Sequence, residues 1–303
     1  MTSSLLAILT IIRAVNLPVF FLGSLLGSLI ARSNRDEFFQ SGVWLLSIAA
    51  VFLAAAVNTI NDIIDIEIDR INRPSRPLVT QAISKTTAFW IYGITISIGL
   101  LLPFYYSIQN QTLESFFIAL FFAVTGTLYS FYFKQTPLFG NMIVALDVAL
   151  VIALGASANT TFYDQLSGSS VFALLYAMLF AFFITLLREL LKDMEDINGD
   201  RSNNAKTFPV VFGFSQSSSL LLLILGVLFA LSLLPYFQGV WGVGYLIFVL
   251  ISDGVTLYAI FRIYQVRKSE ALFFQRVSYS SLMLKLSMVI GLLAIFLGEL
   301  INL

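Results

Sequence analysis

The sequence predicts an all-α integral membrane protein with nine transmembrane helices. Three observations predict it. First, 58% of the 303 residues are hydrophobic and only 11% charged, with a mean hydropathy of +0.90. A water-soluble domain needs more charge than this to cover its surface. Second, apolar stretches long enough to cross a bilayer, roughly 20 residues each, fall near 5–31, 42–64, 86–107, 112–133, 138–158, 170–190, 217–235, 240–262 and 281–301. Third, positive charge alternates between the connections. With the N-terminus in the cytoplasm, every Lys and Arg except Arg32 and Arg35 falls on the cytoplasmic side, as the positive-inside rule requires. One missed helix would scramble that alternation.

The elements follow in order. The first stretch is longer than the apolar region of a cleavable leader and is interrupted by Arg13, so it reads as a retained helix. The connections at 65–85, 191–216 and 263–280 are long enough for short helices or caps. Those near 108–111 and 236–239 are tight, and the one near 159–169 is somewhat longer. The long connections are the cytoplasmic ones, so function is expected on that side.

The chain has no cysteine and no histidine. This excludes disulfides, thiolate chemistry, the usual zinc sites and a histidine general base. The formal net charge is zero, which gives no argument for a nucleic-acid partner. Chemistry must run on carboxylates, Lys, Arg, Tyr, hydroxyls, amides, or a metal held by oxygen.

Acid is concentrated in two places. Asp62, Asp65, Glu67 and Asp69 end the second span; Glu189, Asp193, Glu195, Asp196 and Asp200 end the sixth. Asp62, Asp65 and Asp69 stand at i, i+3 and i+7, which on a helix share one face. Asn58 falls on that face too. Asp193, Asp196 and Asp200 repeat the offsets, with Glu189 in the place of Asn58. The matching spacing suggests one polytopic domain built from two diverged helical repeats, about 1–137 and 138–303. Glu67 and Glu195 point off the shared faces.

Like charges on one face at a membrane helix end are costly, about 2.5–3.5 kcal/mol per Asp at the midplane. The arrangement makes sense if cations draw the carboxylates together. Mg²⁺ takes oxygen ligands and is commonly held by one or two carboxylates plus substrate phosphates. Two such faces could clamp a diphosphate through Mg²⁺. Basic residues stand beside the acids. Arg73 and Arg76 lie in the stiff run Asn72-Arg73-Pro74-Ser75-Arg76-Pro77, and Lys192 and Arg201 flank the second segment. Arginine suits bidentate phosphate contact.

The run from Asn58 through Asn61, Asp62, Asp65 and Asp69 to Pro77 resembles the first motif of the UbiA superfamily of intramembrane prenyltransferases. Asp193-Met-Glu-Asp196-Ile-Asn-Gly199-Asp200 resembles its second. The resemblance implies nine helices around a central cavity with a cytoplasmic cap and a lateral opening to the bilayer. It also implies Mg²⁺-dependent transfer of a prenyl group from its diphosphate to a lipid-like or aromatic acceptor. Both acidic triplets would hold Mg²⁺, partly through the diphosphate. Asn16, Asn58, Asn61, Arg73, Arg76, Tyr129, Lys134, Glu189, Lys192 and Arg201 would line the substrate. Arg13-Ala14-Val15-Asn16 is similar to the family's first-helix pattern, with Ala14 where a proline is usual. Tyr129, Lys134 and Gly140-Asn141 resemble the segment closing the fourth helix. Val79-Thr80-Gln81 departs from the usual tail of the first motif.

Within the superfamily, the first motif looks most like that of digeranylgeranylglyceryl phosphate synthases, which implies a geranylgeranyl donor and geranylgeranylglyceryl phosphate as acceptor. Aromatic-acceptor prenyltransferases and membrane terpene cyclases share the same core. A cation-coupled transporter is the rival outside the family, although transporter sites tend to lie at the midplane.

Overall fold

In the computed structural model the chain is described over residues 2–32, 40–159 and 169–301. Arg35 and most of the connection expected near 159–169 lie outside the described residues. Among them, eight helices are long and apolar enough to cross a membrane. The chain is thus a multi-pass membrane protein.

The first expected span is broken in two, α1 (Thr2–Ile11) and α2 (Leu17–Ala31). The break centres on Arg13, whose φ of 54° is left-handed, a region that costs most L-residues energy. Pro18 then sits in the first turn of α2, where a missing N–H does no harm. The second span is α3 (Ser41–Ile64), followed by the short α4 (Ile66–Asn72). Next come α5 (Lys85–Gln109), α6 (Glu114–Leu128), a π-helical turn at Tyr129–Phe133 and α7 (Phe139–Ala156). The Ser84 side chain caps α5 by accepting from the Thr87 N–H. The remaining helices are α8 (Ser169–Glu195), α9 (Ile197–Ser202), α10 (Phe208–Phe237), α11 (Val243–Tyr264) and α12 (Glu270–Ile301).

Two boundaries differ from the sequence reading. The last helix starts at Glu270, well before the expected 281, because Arg276 and its neighbours continue the helix past the apolar stretch. In α10 the run is kinked at Gly213, at φ 81° and ψ 171°. Glycine alone adopts that conformation without penalty, so the straight membrane-spanning part begins after it.

The chain falls into two compact units, Met1–Lys134 with Leu150–Gln165, and Gln135–Ala149 with Leu166–Leu303. In the first unit α2 and the second half of α7 touch backbone to backbone. A Cβ at Gly27 would sit 1.8 Å from the Ile152 carbonyl oxygen, and one at Gly155 would sit 1.8 Å from that of Ser24. Ser28 Oγ donates to the Gly155 carbonyl at 2.7 Å. Small residues and hydroxyls are how helices associate where lipid removes the hydrophobic drive. Ser47 of α3 donates to Ser24 Oγ, which ties the central helix to the same seam.

The second unit uses the same device between α11 and α12. Ser252, Thr256 and Ser287 join their hydroxyls there. Ser232 of α10 donates to Asp253 at 2.6 Å, and Trp241 Nε1 donates to Glu299 at 2.7 Å.

Candidate active site

The first acidic segment is a corner rather than one straight helix. α3 ends at Ile64, Asp65 turns the chain at φ −83° and ψ 4°, and α4 starts at Ile66. The backbone bonds carry through the corner: Asp65 N–H to the Asn61 carbonyl at 2.9 Å, Asp69 N–H to that of Asp65 at 2.8 Å. Asp62, Asp65 and Asp69 are all buried. Glu67 stays exposed and pairs with Arg70, in keeping with its place off the face.

Three cations meet the three aspartates. Arg76 Nη1 donates to Asp62 Oδ1 at 2.8 Å and also to Asp69 Oδ2. Arg13 Nη2 donates to the same Asp62 oxygen at 2.9 Å. Lys134 Nζ pairs with Asp65 Oδ2. Buried carboxylates persist when paired in this way. Burial pushes the Asp69 carboxyl up to about 6, against the pull of Arg76 and with the help of Asp65 and Asp62.

Arg13 and Lys134 are each placed by a backbone irregularity. Arg13 sits on the left-handed residue between α1 and α2, and Asn58 Nδ2 donates to the Ile12 carbonyl beside it at 3.2 Å. Lys134 follows the π turn, its N–H bonded to the Tyr129 carbonyl at 2.9 Å. Such turns cluster at functional sites. The Tyr129 side chain is buried. Arg73 closes α4 with its N–H on the Asp69 carbonyl and is half-buried. Asn16 is half-buried at the start of α2. Asn61 is buried, and its side-chain oxygen has no hydrogen-bond partner among the described residues.

The second acidic segment repeats the corner. α8 ends at Glu195, Asp196 turns at φ −87° and ψ 2°, and α9 follows. Asp196 N–H bonds the Lys192 carbonyl at 2.8 Å and Asp200 N–H that of Asp196 at 3.1 Å. Asp65 and Asp196 therefore hold the same backbone position in their own units.

The side-chain partners differ. Asp193 accepts from Asn141 Nδ2 at 2.8 Å. Buried Asp200 accepts from Thr207 Oγ1 at 3.0 Å. Thr207 stands seven residues after Asp200, as Arg76 stands seven after Asp69. Buried Glu189 pairs with Arg188 at 2.9 Å and Lys192 at 3.3 Å. Arg201, expected beside the acids, instead pairs with Glu270 of α12 on the exposed surface. Arg13, Asn141 and Thr207 were not chosen as site residues from the sequence. The spacing shared by Arg76 and Thr207 was the available signal for the last.

Among the described residues, no three acidic side chains are gathered so as to hold a metal by themselves. The donors fit Mg²⁺ nonetheless. Asp62, Asp65, Asp69 and Asp200 are buried carboxylates and Asp193 and Asp196 half-buried ones, joined by the buried side-chain oxygen of Asn61, which has no partner among the described residues, and Mg²⁺ is normally completed by phosphate and water rather than caged by protein.

Residues 5–298 match the UbiA prenyltransferase family. The chain belongs to that family. This UbiA prenyltransferase is 32% identical to the digeranylgeranylglyceryl phosphate synthase of Saccharolobus solfataricus, over 98% of each chain. It superimposes on a solved structure of digeranylgeranylglyceryl phosphate synthase in membranes with a TM-score of 0.71 and 29% identity, covering 98% of each chain. A UbiA homologue from Archaeoglobus fulgidus, solved with GPP and Mg²⁺, shares the fold at a TM-score of 0.55 and 17% identity, covering 95% of this chain and 99% of its own.

Proposed function

We propose that this prenyltransferase moves a geranylgeranyl group from its diphosphate to the free hydroxyl of geranylgeranylglyceryl phosphate, with Mg²⁺ as cofactor and its site at the cytoplasmic face. The observation that carries the reading is the repeated acidic corner, Asp62-Asp65-Asp69 and Asp193-Asp196-Asp200, built on the same backbone geometry. Like charges gathered at a membrane helix end, buried in the first corner and partly buried in the second, are costly unless cations offset them in the working state. The synthase named in Saccharolobus solfataricus and the Archaeoglobus fulgidus homologue solved with GPP and Mg²⁺ support donor, acceptor and metal. The bias of Lys and Arg between the connections supports the orientation.

Asp62, Asp65 and Asp69 would hold Mg²⁺ in the first unit, and Asp193, Asp196 and Asp200 would hold it in the second. Bound Mg²⁺ would supply positive charge to the departing diphosphate. The chain's own cations do the rest. Arg13, Arg76 and Lys134 are already fixed on the carboxylates. Donor binding lets them exchange a carboxylate partner for a phosphate oxygen, so their charge meets the leaving group without further ordering. Asn61 offers its unpartnered oxygen to the same cation cluster. The C1–O bond of the donor breaks to an allylic cation and diphosphate, the acceptor hydroxyl oxygen bonds to C1, and its proton passes to the released diphosphate.

Purified protein in detergent, given Mg²⁺, geranylgeranyl diphosphate and a panel of lipid and aromatic acceptors, should form the doubly alkylated glyceryl phosphate, read by mass spectrometry. Asp62→Ala and Asp193→Ala should each abolish transfer while the proteins remain folded in membranes. Full activity in either variant, or product from an aromatic acceptor alone, overturns the reading.

A further inference from the structure

The proposed chemistry leaves one group of cations unused, at the end of α11 and the start of α12. It lies on the membrane face that holds the second acidic corner, since α8 ends there, α10 starts there and α11 returns to it. Arg262 and Arg276 meet across the two helices. Arg276 Nη1 donates to the Arg262 carbonyl at 3.3 Å and to Gln265 Oε1 at 3.1 Å. Among the described residues, neither arginine pairs with a carboxylate. Glu270, the acid nearest in sequence, is taken by Arg201.

An arginine that only anchors a helix end sends its head out to water. Arg262 does the reverse. α11 has 22 residues, about 33 Å, close to the ~30 Å of a hydrocarbon core. Arg262, near its end, thus starts at the boundary between core and headgroups. Its guanidinium then turns back along the helix, to 5.8 Å from the ring centre of Tyr258 and 4.6 Å from that of Tyr279. The two rings, one from each helix, stand edge to face with centroids 6.4 Å apart. They are 51% and 45% exposed, and their hydroxyls make no hydrogen bond among the described residues. The rings steady the cation but leave its charge, and that of Arg276 beside it, without a counter-ion.

Apolar surface continues from this point toward the membrane interior. Val255 and Ile251 follow Tyr258 on α11 at i−3 and i−7, and Met283 and Leu286 follow Tyr279 on α12 at i+4 and i+7. None of the four is buried. The seam between the helices has a closed floor, where the hydroxyls of Ser252 and Ser287 join.

We propose that Arg262, Arg276, Tyr258 and Tyr279 hold the phosphate of an anionic phospholipid from the surrounding leaflet, whose chain lies along the α11–α12 seam. Guanidinium forks match phosphate oxygens, and anionic lipid supplies negative charge at the depth where Arg262 is held. A free phosphate would meet the arginines and leave the seam bare, so the seam is what favours a lipid. The bound lipid braces α11 against α12 and takes no part in prenyl transfer.

The test uses the full chain in a neutral detergent. Thermal unfolding is followed as phosphatidylglycerol, phosphatidylcholine or inorganic phosphate is added, and native mass spectrometry counts the lipid retained. Phosphatidylglycerol should raise the unfolding temperature saturably and remain bound as a single lipid; the other two should do neither. Arg262→Gln combined with Arg276→Gln should weaken the apparent affinity for phosphatidylglycerol at least about tenfold. Arg267→Gln combined with Lys268→Gln removes the same charge from the same end of α11 and should leave that affinity within about twofold. If the first double variant is not recovered folded, Arg262→Lys keeps the charge, loses the planar fork and its stacking, and should still weaken binding severalfold. Equal stabilisation by phosphatidylcholine or by phosphate alone overturns the proposal. So does equal loss in the two double variants, which makes the attraction one of diffuse charge, and so does unchanged affinity in the Arg262 variants. Each of these results leaves the proposed function standing.

Discussion

Arg76 is the sharpest point at which to test the site. One of its nitrogens serves two buried carboxylates, Asp62 and Asp69. Hydrogen bonds to charged groups contribute about 1.5–3 kcal/mol each, so the pair holds the corner with roughly 3–6 kcal/mol. In the reaction the guanidinium is expected to turn that charge on the leaving diphosphate. Removing one such charge-stabilising donor costs ~10²–10³ in rate, or about 2.7–4 kcal/mol. Arg76→Gln keeps a polar side chain of similar length and removes the charge. It should lower kcat/KM for geranylgeranyl diphosphate by ~10²–10³ at saturating Mg²⁺. Because a single nitrogen makes both contacts, a lysine ammonium can replace part of its work. Arg76→Lys should stay within about tenfold of wild type (~1.4 kcal/mol). Initial rates measured by mass spectrometry on protein of equal monodispersity decide the matter. Arg76→Gln within threefold of wild type would refute the reasoning. Equal loss in Arg76→Lys and Arg76→Gln would refute the claim that charge at one bridging nitrogen is what counts.

Thr207→Val removes the hydroxyl from Asp200 and should raise the Mg²⁺ concentration for half-maximal rate about tenfold, in line with about 1.5 kcal/mol or more for a bond to a charged group; Thr207→Ser should restore it. Arg201→Ala breaks only an exposed pair with Glu270, so activity and thermal stability should stay near wild type, as for most surface ion pairs. Gly27→Val drives a side chain into the Ile152 carbonyl and should lower the yield of monodisperse protein sharply, whereas Gly93→Ala, which meets nothing within 4 Å, should be silent in size-exclusion chromatography.

Much of this was legible because membranes simplify sequence. Apolar length and the bias of Lys and Arg mark the spans, and the i, i+3, i+7 aspartates mark both corners. The corners themselves were not legible. Asp65 and Asp196 look like ordinary helical positions, since the turn changes the chain's direction without changing the spacing. The break at Arg13 was hidden too. The apolar stretch around it is long enough for one continuous helix, and Ala14 offers no local stop signal. What bends the chain there is tertiary: Arg13 reaches Asp62, and Asn58 holds the Ile12 carbonyl. Lys134 belongs with Asp65, far away in the chain, and no local pattern announces a partner at that separation. Arg201 shows the opposite error. Proximity in sequence to Asp200 suggested a site residue, but it sits on the outward side of α9 and finds Glu270.

The π turn at Tyr129–Phe133 is a place where the chain can change length without passing the change on. It accommodates one residue more than a regular α-helix would carry over the same rise. Loss of one codon between Tyr129 and Lys134 would let the helix heal into α geometry. The Lys134 N–H, which bonds the Tyr129 carbonyl five residues back, would then meet it as an ordinary i−4 bond, so Lys134 would keep its place beside Asp65. A deletion in the regular helix before it has no such refuge, because everything after it turns by about 100°.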